Sequence, residues 1–198
     1  MKKVLLLFTI LFVSVMTTAC INNFAIQELN NKAAAYMDKG DAETAICRLK
    51  SSLDLDPEIY QTHFNLAVAY NTIGKFLESV EESKKVLELK PDFVDAHYTI
   101  AVAKEALAYQ VLDDEQNPEK APSDYTLDEI SNFINIAQES IDEYNTYLVQ
   151  KVDAVETDSI NSKITELNLK VKDFSRLYDD KSLMQQQEVS AETELLAD

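Results

Sequence analysis

The chain has 198 residues, with 35 acidic against 18 basic side chains and a formal net charge of −17. That length suits one domain rather than two. So acidic a surface is repelled by phosphates, which excludes nucleic-acid binding and leaves protein partners, basic ones being steered in. Only two glycines and four prolines occur, a composition that favours helices.

Lys2 and Lys3 open the chain, and Val4 to Met16 is an almost continuous apolar run. The run falls short of the roughly 20 residues a membrane span needs and reads as a targeting leader over residues 1–19. Thr17-Thr18-Ala19-Cys20 closes it. These four residues resemble the bacterial lipobox, with Thr17 in place of the usual Leu. The resemblance implies cleavage before Cys20, lipidation of the Cys20 thiol, and acyl chains of the palmitate kind. An ordinary secretory signal with a coincidental Cys is the alternative. Two or more chains anchor stably, since each buried methylene contributes roughly 0.8 kcal/mol. Ile21-Asn22 lacks the Asp that retains lipoproteins in the inner membrane of diderm bacteria. The resemblance therefore implies the periplasmic face of the outer membrane if the organism is diderm. Residues 20–25 form a short tether, Ile21 to Ala25 spanning at most about 18 Å. Without Lys2 and Lys3, 18 basic residues become 16 against 35 acids, a net charge of −19.

A period of 34 residues follows. It separates Gly40 from Gly74, Tyr36 from Tyr70, Leu53 from Leu87 and Pro57 from Pro91, and Ala33, Ala67 and Ala101 extend it through three units. Small, aromatic, Gly and Pro positions in constant order form a repeat signature. The pattern resembles the tetratricopeptide repeat (TPR). The resemblance implies an all-α, right-handed solenoid of antiparallel helix pairs, domain 26–178, that presents a surface rather than performs chemistry. Repeats occupy 26–59 and 60–93. The glycines suit positive φ after the first helix of each pair, and the prolines end the second.

The third repeat, 94–151, departs from the ladder. Its first helix runs on through Val111, and Asp113 to Tyr125 reads as a polar loop with Pro118 and Pro122. Thr126 to Glu129 is a capping-box pattern. ESIDEYNTYL, Glu139 to Leu148, aligns with ESVEESKKVL, Glu78 to Leu87, so the second helix sits 27 residues late. A stripe at Ile160, Ile164, Leu167, Val171, Phe174 and Tyr178 predicts a capping helix over 158–178, with a homodimeric coiled coil as the sharper reading. Residues 179–198, rich in Gln and acids, read as a disordered acidic tail.

Candidate chemistry is sparse. His63 and His97 hold one slot of successive repeats, where the family carries a large packing residue. No third His or second free Cys completes a metal site, so no metal and no cofactor is expected. Cys47 reads either as a small, semi-buried apolar residue or as a thiol pairing between chains. No phosphate loop, nucleophile elbow or HExxH occurs, so no enzyme is expected. The resemblance implies instead a concave groove lined by the first helix of each pair. Its slots hold Asn30 and Met37, then Gln61, Phe64, Val68 and Asn71, then Asp95, Tyr98, Val102 and Glu105. Asn30 and Gln61 stand where a carboxylate clamp would need lysines. The groove is either open to a peptide or filled by the C-terminal helix.

Together these features imply a lipid-anchored scaffold or assembly factor of the bacterial cell envelope, binding proteins or peptides. A pilotin-like helper of a secretin or pilus component, or a self-assembling structural envelope protein, are the alternatives.

Overall fold

The computed structural model describes residues 22–112, 120–151 and 156–195. The expected leader 1–19, Cys20 and the core of the loop, residues 113–119, lie outside the described residues. The chain divides into two compact units, Met1–Phe93 and Val94–Asp198. The division falls at the boundary between the second and third repeats, within the single domain expected from the sequence. Helices make up every regular element among the described residues.

The first unit holds α1 (residues 22–37), α2 (Ala42–Leu55), α3 (Tyr60–Thr72) and α4 (Phe76–Leu89). Residues 22–25, read as tether from the sequence, are already helical. Both inter-helix turns have one design. Gly40 and Gly74 sit at φ 76° and 74°. Asp41 N donates to Tyr36 O and Gly40 N to Met37 O, both at 2.9 Å. Lys75 N donates to Tyr70 O at 2.9 Å and Gly74 N to Asn71 O at 3.2 Å. This is the Schellman arrangement, in which a left-handed residue turns the chain and satisfies the last carbonyls. Nothing lies within 4 Å of a Cβ built on either glycine, so the demand there is for backbone conformation and not space. α2 and α4 stop before proline, with Asp56 and Lys90 at φ −153° and −144°. Ala33, Ala45, Leu49, Leu66 and Tyr70 form the core, flanked by Tyr36, Met37, Leu53 and Ile73.

The second unit holds α5 (Val94–Leu112), a 3-10 turn (Pro122–Asp124), α6 (Leu127–Gln150) and α7 (Thr157–Leu195). The capping box forms as the sequence reads it. Thr126 Oγ1 accepts from Glu129 N at 3.2 Å, and Glu129 Oε2 accepts from Thr126 N at 2.7 Å. These bonds, with Lys120 Nζ at 2.9 Å, hold the Glu129 carboxyl down at about 2. Phe133, Ile141, Tyr144, Ile160 and Leu167 make the core, with Val171 and Phe174 packed against it. Tyr125 fastens the loop exit: its OH donates to Leu112 O at 2.9 Å, and its ring lies 5.7 Å from that of Phe174.

The tail corrects the sequence reading. α7 does not end near residue 178 but continues to Leu195, 39 residues or about 58 Å. Its last tertiary contact given by a hydrogen bond is Lys181 Nζ to Ser123 O. From Leu183 to Thr193 every side chain is exposed. Gln, Glu, Leu, Met and Ala are good helix formers, and the helix propagates past its packed part at little cost per residue. No described helix is long and apolar enough to cross a membrane.

Candidate functional site

The repeat slots resolve into pairs of contacts. His63 Nδ1 lies 2.6 Å from Glu82 Oε2, and its Nε2 lies 2.8 Å from Pro57 O. His97 Nδ1 lies 2.6 Å from Glu143 Oε2. The partner glutamate is 19 residues on in the first case and 46 in the second, a difference of 27. That difference is the offset read from the sequence, so the insertion leaves the register of α6 intact. Each histidine therefore braces its helix pair. In the first repeat the same two slots hold Leu29 and Arg48.

Of the groove residues in the first unit, four face one feature. A cleft of about 240 Å³ lies between α1 and α3, lined by Ala33, Ala34, Met37, Asp38, Leu49, Phe64, Asn65 and Val68. Alanines at 33 and 34 open its floor, because they leave the surface of α1 low. Leu49 is fully buried beneath it, and Val68 is 37% exposed at its lip. The Phe64 ring is held edge-on against Phe93, centroids 4.9 Å apart. Gln61 is exposed and Asn71 half-buried along α3.

Asn30 has a different role from the open groove position expected of it. Its Nδ2 lies 3.0 Å from Ile26 O and 2.9 Å from both Ser52 Oγ and Thr62 Oγ1. Its Oδ1 accepts from Asn65 Nδ2 at 3.2 Å. Both amide hydrogens are thus committed inside the protein, tying α1 to α2 and α3.

The groove residues of the second unit are also engaged within it. Tyr98 packs its ring against Tyr144 and Tyr147, centroids 5.9 and 5.2 Å apart. Asp95 accepts from Lys151 Nζ at 2.9 Å. Hydrogen bonding to Tyr147 and Asp95 raises the Lys151 ammonium well above its usual range. Glu105 Oε2 accepts from Tyr144 OH at 2.5 Å and from Lys163 Nζ at 2.7 Å. Burial, then that bond to Glu105, pushes the Tyr144 hydroxyl far up. Val102 packs half-buried on the same core. The first turns of α7 therefore lie on α5, and Asp95, Tyr98, Val102 and Glu105 serve packing in this unit. Sequence pattern alone did not separate these four from the cleft residues of the first unit.

Cys47 is exposed, against the semi-buried reading. Among the described residues no cluster of three or more His, Cys, Asp or Glu is placed to hold a metal.

A family model for the tetratricopeptide repeat matches residues 60–93. No curated protein matches the chain. Solved structures similar to it include the first TPR domain of human RPAP3, at 16% identity and TM-score 0.56, covering 76% of this chain and 95% of that one. The Arabidopsis OM64 TPR domain matches at 13% identity and TM-score 0.56, covering 73% and 98%. The first TPR of Spaghetti, bound to the HSP90 peptide SRMEEVD, matches at 19% identity and TM-score 0.54, covering 72% and 93%. The chain therefore carries a tetratricopeptide repeat at residues 60–93, within an all-α fold of the TPR kind.

Proposed function

We propose that the protein is a non-enzymatic interaction scaffold of a bacterial cell envelope, anchored by lipid on Cys20 and capturing a protein segment with its first two repeats. In a diderm organism it sits on the periplasmic face of the outer membrane. The carrying observation is the cleft between α1 and α3, walled by Met37, Phe64 and Val68. An exposed apolar depression rimmed by polar groups is what a peptide-binding surface requires. A TPR domain of Spaghetti holds a peptide, which supports the same kind of work on this fold. The histidines and the acids of α5 are committed to internal pairs, which favours a binding surface over a reacting centre.

The test has two arms. Cells fed a clickable palmitate analogue should label the wild type and not Cys20→Ala; label on the variant overturns the anchor. A photo-cross-linking residue placed at Val68 should yield one discrete protein adduct in cells, lost on Phe64→Ala. Absence of any adduct at Val68, with the protein folded, overturns the capture.

A further inference from the structure

We infer that the cleft between α1 and α3 selects a segment presenting one bulky apolar side chain beside a Lys or Arg, and rejects acidic segments. The inference rests on the capture reading above and supplies its specificity. At about 240 Å³ the cleft is below the roughly 300–1,000 Å³ of small-molecule sites. It holds one large side chain over Ala33 and Leu49, with Met37, Phe64 and Val68 as walls. Burying such an anchor changes affinity by about tenfold to a hundredfold.

The charge is set by what stands at the rim. Asp38, in the exit turn of α1, is the one charged residue in the lining. The lysines of α1 and its exit turn are engaged locally: Lys32 Nζ pairs with Glu28 at 3.2 Å, and Lys39 Nζ lies over the Tyr36 ring at 5.7 Å. The donors that would greet a carboxylate are spent. Asn30 Nδ2 is committed to Ile26, Ser52 and Thr62, and Asn65 Nδ2 to Asn30. An anionic segment entering here meets a carboxylate and no cation, whereas a cation meets Asp38 in the field of an acidic chain. The occupant thus differs in sign from the acidic peptide SRMEEVD held by the Spaghetti domain.

The test is selection of a random phage-displayed peptide library on the full-length protein in detergent, with fluorescence anisotropy on the winners. Enriched peptides should carry Leu, Met or Phe within two positions of Lys or Arg, and SRMEEVD should not bind. Phe64→Ala should weaken the winners at least about tenfold. Asp38→Lys should weaken them about tenfold and swing selection toward Glu and Asp, since reversal turns one partly screened attraction into a repulsion. Far-UV circular dichroism of both variants should match wild type. Acidic winners, winners without charge preference, or unchanged selection on Asp38→Lys overturn the inference. So does failure to enrich any peptide; if Val68 still cross-links a partner in cells, the capture reading stands and the specificity alone falls.

Discussion

Replacing Asn30 with Ala should be far more costly than a half-exposed surface amide suggests. Ser52 and Thr62 are both fully buried, and each meets Asn30 Nδ2 at 2.9 Å. Without Asn30 they keep only each other, at 3.4 Å, a long contact for two hydroxyls. Leaving a buried polar group short of its partner costs about 1–3 kcal/mol. One to two such groups put Asn30→Ala at about 2–4 kcal/mol. With a urea slope of about 1–3 kcal/mol/M, the midpoint falls by about 1–2 M. The triple change Asn30→Leu, Ser52→Ala, Thr62→Val removes every member together, so it should return to within about 1 kcal/mol of wild type. Asn65, being exposed, turns to water in either case. The assay is urea unfolding followed by far-UV circular dichroism on the chain beginning at residue 21. A cost under about 0.5 kcal/mol for Asn30→Ala, or a triple variant weaker than the single, refutes the network as a structural clamp.

Three further outcomes follow from single contacts. Glu129 has its carboxyl lowered to about 2 by Thr126 N and Lys120, so its stabilisation is full above the ordinary carboxylate range and is lost as pH falls from about 4.5 toward 2. Thr126→Ala should cost about 1 kcal/mol at neutral pH and flatten that acid limb in a pH series of thermal melts. Ser83 is fully buried with no partner for its Oγ, so Ser83→Ala should raise stability by about 0.5–1 kcal/mol; a loss in the same melts would mean that the hydroxyl is bonded. Truncation after Ser182 removes a segment whose side chains are exposed, so it should lower helical ellipticity while leaving the urea midpoint unchanged.

Much of this architecture was legible because its determinants are local and repeat. Gly40 and Gly74 are the two positions that need positive φ, and glycine is nearly alone in accepting it. Asp56-Pro57 and Lys90-Pro91 end helices by steric rule. The insertion in the third repeat was legible because Ser140 and Glu143 copy Ser79 and Glu82, and both serine slots prove fully buried. Other features depend on which side chain fills a space, and periodicity does not carry that. The stripe for α6 named Ile134, which is half-buried, and passed over Phe133, which is fully buried against Phe174 at 4.8 Å. The helical end of α7 was missed because polarity was taken for disorder, although Gln and Glu hold a helix without packing it.

The candidate site shows where the same logic stops. One core slot holds Leu49 in the first repeat, Ser83 in the second and Tyr144 in the third, all fully buried. In the first repeat Leu49 floors an open cleft beneath two alanines. In the third, Tyr144 reaches across to Glu105, and Lys163 of α7 joins the same oxygen. The size of one residue on the second helix of the pair thus bears on whether the first helix stays open or is engaged from within. A small apolar side chain leaves room above it, while a long polar one extends to the first helix and bonds there. Groove positions read only from first-helix register cannot carry that distinction, because it is written on the partner helix.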